Sequence, residues 1–435
     1  MTSAIRLLRL FLLYFGVLIL MTLFTVLANI IPNKPIWNHV AGSLPSEDFV
    51  MSPGNLVALD QFTECIALTI GLTPSDISVG PLIRTFGSPT LGSCQVSKKT
   101  LAMELGGPYY DPLYYWRYWH GYQILSRPIL TLSDVKTLRL VVFVLVCTSL
   151  LFFVGAVSKV LGTTYAFIFL MSLLSTPLYS QFLLISHSGV WVIGLTFASL
   201  LLFAVRDRRR FFERYCLEMF FVTGMLTAYV DILTAPLITL TIPLMVLYWR
   251  GAWPWTPGLR SSTAAAVVLC ICWAVGYAFC WLAKWIGAAI FLKSAVIAEA
   301  ASVTLHRLSG NIPGVAEGGA TSLKSIYDNF IQSRNGFLIV GIAVVLRLLL
   351  ICRYPLRATR SIDELATLAW IVLLPVIWLA LVRNHSIIHV WFVAPILIPS
   401  FALLLGTLWP AERNLVEGPK TAGYGFMAKP TESDR

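Results

Sequence analysis

The residues of this chain that could do chemistry fall into a few short segments. "PSEDFVMS" holds the adjacent carboxylates Glu47 and Asp48, and "ALDQFTEC" adds Asp60 and Glu64. "TAYVDILTAPLITL" carries Asp231 just before a turn that Pro236 closes. "VRNHSIIHVWF" carries Arg383, Asn384, His385 and His389. A positioned carboxylate can take a proton from a hydroxyl nucleophile, and Arg with His can hold an anionic leaving group. His385 and His389 are four residues apart, so a helical turn puts both on one face, where they would also make part of a metal-ligand set. Each segment alone has an ordinary reading. A Glu-Asp pair is usually a solvated loop feature, Arg383 an interface anchor, and the His pair a helix cap.

One further stretch, "PYYDPLYYWRYWHGY" from Pro108 to Tyr122, is too polar to span a bilayer and too aromatic to sit idle in water. With the following "QILSRPILTL" it reads as an interfacial segment, where aromatic rings settle at the bilayer boundary. It also reads as a platform for a sugar. Trp119 and Tyr122 offer faces that stack on sugar C–H groups, while Arg117 and His120 supply donors. The two readings are compatible.

The elements that must position these residues are membrane helices. The 435 residues are 57% hydrophobic and 12% charged, about half the charged share of a soluble domain. Apolar runs long enough to cross about 30 Å of hydrocarbon lie near Leu7–Ile31, Leu138–Val157, Thr164–Ile185, Val190–Val205 and Phe211–Val230. Others lie near Pro236–Tyr248, Thr263–Leu282, Gly336–Ile351, Leu365–Leu381 and Val390–Leu408, with the short Pro236–Tyr248 run open to a re-entrant reading. The first run is longer than a signal-peptide core and reads as a retained anchor.

Orientation follows from the basic residues of the short connections. Arg6 and Arg9 precede the first run; Arg206, Arg208, Arg209, Arg210 and Arg214 fill one connection. Arg250, Arg260, Arg353, Arg357 and Arg360 fill two more on the same side. That side is read as cytoplasmic, with both termini. The net charge of +11 is then topological, and nucleic acid is not needed as a partner. Residues 1–408 form one transmembrane unit with large outer loops at 32–136 and 283–335, and residues 409–435 form a cytoplasmic tail. All six histidines fall on the outer face, with Glu47, Asp48, Asp60, Asp111 and Asp231. Six of the eight cysteines sit inside helices, and a disulfide between the loop residues Cys65 and Cys94 is left open.

This layout resembles the GT-C superfamily of polytopic glycosyltransferases. The points of likeness are the cytoplasmic N-terminus, the large first extracytoplasmic loop with interfacial helices, and the acidic pair soon after the first helix. "SED" at Ser46–Asp48 matches that acidic position. "YWHGY" at Tyr118–Tyr122, "YVDILTAPLITL" at Tyr229–Leu240 and "RNHSIIHVWF" at Arg383–Phe392 are similar to segments of a bacterial branch related to lipid-dependent arabinofuranosyltransferases, including the kind that modifies type IV pilins.

The resemblance implies an all-α, GT-C-like membrane protein of about ten transmembrane helices in the bacterial inner membrane, with a periplasmic site. It implies inverting transfer of a sugar, D-arabinofuranose in that branch, from a polyprenyl-phosphate donor to a periplasmic protein or glycan. Asp48 becomes the general base, with Glu47 as the neighbour able to exchange roles. Arg383, His385 and His389 become contacts to the donor phosphate. Asp231, His120, Arg117, Trp119, Tyr122 and Asp60 become sugar or acceptor contacts. No cofactor is implied beyond the donor itself, and a divalent metal, used by some relatives and not others, stays open.

Two other classes fit parts of the pattern. A lipid-linked sugar flippase would place ionisable residues deep in its spans, where Glu218 and Arg347 are the candidates. An O-antigen polymerase or ligase would carry its large loop late in the chain, whereas the longest loop here is the first.

Overall fold

A computed structural model describes residues 3–52, 56–73, 80–103, 113–254, 261–292, 295–309, 321–350 and 361–408. Asp111, Arg260, Arg353, Arg357, Arg360 and the expected tail 409–435 lie outside the described residues.

The chain opens with α1 (Ser3–Ile30), whose Leu7, Leu8, Phe11, Leu12, Phe15 and Ile19 are all exposed. Such a face on a 28-residue helix belongs in lipid. The loop that follows holds α2 (Asn33–Ala41), β1 (Phe49–Ser52), β2 (Leu56–Asp60), α3 (Gln61–Thr69) and α4 (Pro81–Gly87). After these come β3 (Pro89–Thr90), α5 (Cys94–Met103), β4 (Leu113–Tyr114) and α6 (Gln123–Leu132). Strands β1 and β2 pair antiparallel with Phe49 opposite Asp60, and β3 pairs with β4. The sequence reading expected interfacial helices alone. The hairpin forms because alternate side chains of "FVMS" and "LVALD" can pair across strands while the backbone bonds itself.

The bundle continues with α7 (Val135–Leu161), α8 (Thr163–Leu173), α9 (Tyr179–Leu183), α10 (Ile185–Asp207), α11 (Arg209–Val230), α12 (Ile238–Arg250) and α13 (Ser262–Leu292). Then come α14 (Val296–Leu308), α15 (Ser322–Gln332), α16 (Arg334–Leu349) and α17 (Ile362–Leu381). The last elements are α18 (Arg383–Ile388), α19 (Val390–Val393), a 3-10 turn at Ala394–Leu397 and α20 (Ile398–Leu408). Among the described residues, six helices are long and apolar enough to cross a membrane, or seven if α15 and α16, bent by 70°, form one span. The chain is a multi-pass, all-helical membrane protein.

Three boundaries differ from expectation. The run Thr164–Ile185 is not one helix, because Pro177 lacks the N–H and the helical fit needed to continue the turns after Leu173. Helix α13 runs ten residues past Leu282, so the second large loop starts at its end and itself contains α14 and α15. The short run at Pro236 becomes α12, which spans only about 20 Å but is buried from Ile238 to Trp249. It is a central post of the bundle.

Helices α11 and α13 make the closest crossing. A Cβ on Gly224 would collide with the Trp273 carbonyl, and one on Gly276 with the Phe221 carbonyl. Reciprocal glycines let the two backbones touch, as small residues do in membrane bundles.

Candidate functional site

At the end of the bundle that carries residues 31–134, α13 presents an aromatic ladder. Trp273, Tyr277, Trp281 and Trp285 are spaced by four, and successive ring centroids lie 5.0, 5.2 and 5.7 Å apart. The last three line a cavity of about 190 Å³ with Tyr118, Leu233 and Trp378. Its two charged side chains are Arg117 and Arg307. The Arg117 guanidinium lies 4.6 Å from the Tyr115 ring centroid and 3.9 Å from a Glu299 oxygen. Arg307 Nε is buried with no hydrogen-bond partner among the described residues. Larger cavities exist between the spans, one of about 840 Å³ among α1, α10 and α11, but its charged groups are Arg9 and Glu218, already paired at 2.8 Å. Polar groups converge at the smaller cavity, and that is the better site.

The last segment meets this cavity through Val382, which lines it, and His385 stands behind the wall, bonded to the lining residue Leu233. His385 donates from Nε2 to the Leu233 carbonyl at 2.6 Å, and its ring centroid lies 4.8 Å from that of His389. The expected pairing of the two rings is therefore present. Burial, with the positive charge of Arg307 contributing, holds His385 well below the ordinary histidine range and His389 down at about 4. Both are neutral near pH 7. Beyond them, Trp391 packs edge-on to Phe49 at 5.7 Å and donates from Nε1 to Asp60 at 3.2 Å. Arg383 opens α18, half-buried, with Nε unpartnered, but it does not line the cavity.

The carboxylates divide sharply. Asp60 is buried and caps α3, accepting from Thr63 N–H at 2.9 Å and Thr63 Oγ at 2.6 Å. Glu64 is buried and accepts from Ile185 N–H, Ser186 N–H and Ser186 Oγ, and burial raises its carboxyl above the usual range. Asp231 accepts from Leu233 N–H, Thr234 N–H and Thr234 Oγ, and burial lifts it to about 6. These three are occupied by the fold. Glu47 is exposed; Asp48 is half-buried, and its Oδ1 takes one long bond from Gln95 N–H at 3.4 Å.

The aromatic stretch corrects a reading. Its residues 108–112 lie outside the described residues; from Trp116 onward it is not a belt in the membrane boundary. Trp116, Tyr118, Trp119, His120 and Tyr122 are buried in protein. Trp119 Nε1 donates to the Cys280 carbonyl at 2.7 Å, and His120 is bonded to Tyr122 Oη at 2.7 Å and the Tyr115 carbonyl at 3.0 Å. Burial pushes His120 down to about 3. Gly121 lies flat against Tyr229, with no room for a Cβ. The rings found partners inside the protein, so the stretch forms a wall. Arg117 and Tyr118 reach the cavity; Trp119, His120 and Tyr122 stand behind them.

Arg307 escaped the sequence reading. A signal was present: Ala300, Val303, Thr304 and Arg307 recur at the spacing of one helical face, and all four line the cavity. Cys65 and Cys94 form a buried disulfide, closing a question the sequence left open. Among the described residues, no group of three or more His, Cys, Asp or Glu is arranged to hold a metal ion. No protein-family model, curated protein or solved structure matches the chain.

Proposed function

We propose that this protein is a polyprenyl-phosphate-dependent glycosyltransferase on a GT-C-like multi-pass frame. The observation that carries the reading is the cavity with a wall of aromatic rings and two guanidiniums. Rings stack on a sugar, and guanidiniums hold a phosphate in bidentate fashion. Arg117 and Arg307 contact the donor phosphate directly, while His385 and His389 form the polar wall behind them and Arg383 flanks it. The site faces the periplasm, both termini are cytoplasmic, and the membrane is the bacterial inner membrane.

Asp48 is the base. Of the early carboxylates, Asp60 and Glu64 have their oxygens committed to the fold, whereas Asp48 has one long bond and Glu47 beside it is exposed. The acceptor oxygen attacks the anomeric carbon as its proton passes to Asp48, the bond from that carbon to the phosphate oxygen breaks, and configuration inverts. The departing polyprenyl phosphate carries the new negative charge, which the fixed guanidiniums stabilise in a site shielded from water. Asp231 and Asp60 shape the site from behind. The sugar is D-arabinofuranose and the acceptor is a periplasmic protein, pilin among the candidates, or a glycan.

Purified protein in lipid, given polyprenyl-phosphate arabinofuranose and a periplasmic extract, should release polyprenyl phosphate and label an acceptor. Movement of the intact donor across the bilayer without release would favour a flippase instead.

A further inference from the structure

We propose that the Cys65–Cys94 disulfide is a positioning element for the acidic pair, an inference whose catalytic consequence rests on Asp48 being the base. The segment Ser46–Asp48 has no regular structure of its own, and among the described residues three hydrogen bonds hold it. Phe62 N–H on α3 donates to the Asp48 carbonyl at 2.6 Å. Gln95 N–H on α5 donates to Asp48 Oδ1 at 3.4 Å, and Lys98 Nζ on α5 donates to Ser46 Oγ at 2.9 Å. The main chain of Asp48 is thus fixed by one helix and its side chain by another. Those helices are joined covalently by Cys65, three residues after Phe62, and Cys94, the residue before Gln95.

The bridge sets where the Asp48 carboxylate stands relative to its own backbone. If α3 and α5 part, the carbonyl stays with α3 while the side chain loses its donor. The carboxylate then samples several rotamers. A displacement of about 1 Å can cost on the order of 10²-fold in rate, because the reacting atoms must meet in a narrow geometry. Donor binding, which depends on Arg117 and Arg307 elsewhere, would be spared. The bridge lies wholly inside a cluster with Ile36, Trp37, Leu68 and Leu91, so its effect is mechanical and local.

The test compares the native chain, Cys65→Ala/Cys94→Ala and Gln95→Pro. Proline is tolerated in the first turn of a helix and removes the Gln95 N–H that reaches Asp48 Oδ1 while leaving the disulfide intact. Carbodiimide labelling of carboxyls, read by mass spectrometry, should modify exposed Glu47 faster than Asp48 in the native chain. In both variants Asp48 should approach the rate of Glu47. Turnover should fall roughly 10²-fold with donor Kd within about twofold. An unchanged labelling rate of Asp48 in a folded double variant, or in Gln95→Pro should the double variant not fold, overturns the proposal. Faster labelling of Asp48 in a protein whose native form transfers no sugar would overturn the transferase reading and leave the positioning intact.

Discussion

His385 Nε2 lies 2.6 Å from the carbonyl oxygen of Leu233, joining the short helix α18 to the turn between α11 and α12. Leu233 has a φ of 72°, a left-handed conformation that a branched side chain adopts at a cost. Asp231 stabilises it by accepting the Leu233 and Thr234 N–H groups. The Leu233 side chain then lines the cavity while its carbonyl faces His385.

His385→Ala leaves that carbonyl without its donor in a buried place, which costs about 1–3 kcal/mol. The variant should melt earlier in detergent and bind donor more weakly, because a cavity wall has lost its tie. His385→Gln, whose amide reaches a similar distance, should recover most of both. Equal melting of native and Ala proteins would show that the bond does not hold the wall.

Asp231 should make stability fall as pH rises. Burial raises its carboxyl from 3.8 to about 6, against the hydrogen bonds that lower it. Between those values the folded chain keeps a proton that the unfolded chain has released, so its contribution is full below about pH 3.8 and lost by passage through about 6. Asp231→Asn cannot ionise. Its melting temperature should therefore gain on that of the native protein as pH is raised through this window. A constant difference between the two would show that Asp231 titrates alike in both states.

The long spans were legible because a long, nearly uncharged apolar run has few other fates. Helices α1, α7, α10 and α17 lie where their runs predicted, and the Val390–Leu408 run is filled by α19, the 3-10 turn and α20 together. The acidic and histidine segments stood out as candidates, and the chain brings them near one another through Phe49, Trp391 and His389. What the sequence hid was partnership. Nothing in "YWHGY" says that Trp119 will spend its N–H on the Cys280 carbonyl rather than face a ligand. Asp60 and Asp231 looked as available as Asp48, and only the turn residues Thr63 and Thr234 hinted that they would be consumed locally. Arg307 sat in the outer loop 283–335, where no helix was read, so its helical face went unseen.

The orientation read from the arginines can be tested at Lys99, which is exposed on α5. The neighbouring Ser97 is fully buried and would report folding instead. In sealed right-side-out vesicles, Lys99→Cys should react with an impermeant maleimide without lysis, in a background lacking Cys147 and Cys272, which are partly exposed. Labelling only after lysis would invert the chain and place Asp48 and Arg307 in the cytoplasm.

The two variants that bear most directly on the proposed reaction should fail in different ways. Asp48→Asn keeps the size of the side chain and an oxygen for Gln95 N–H, but cannot accept the acceptor's proton. A general base contributes ~10²–10⁴-fold, so turnover should drop by that much while donor Kd stays near native. Arg307 faces an anion in the ground state as well as in the product, so Arg307→Ala should weaken donor binding and lower turnover together. Arg307→Lys keeps the charge but loses the planar fork that matches a phosphate, and should fall between the two. Lipid binding and sugar release, measured separately on the same preparations, distinguish these patterns from a folding defect, which would depress both in every variant. Near-native release by Asp48→Asn would move the base to Glu47, and native donor binding by Arg307→Ala would move the phosphate toward Arg383.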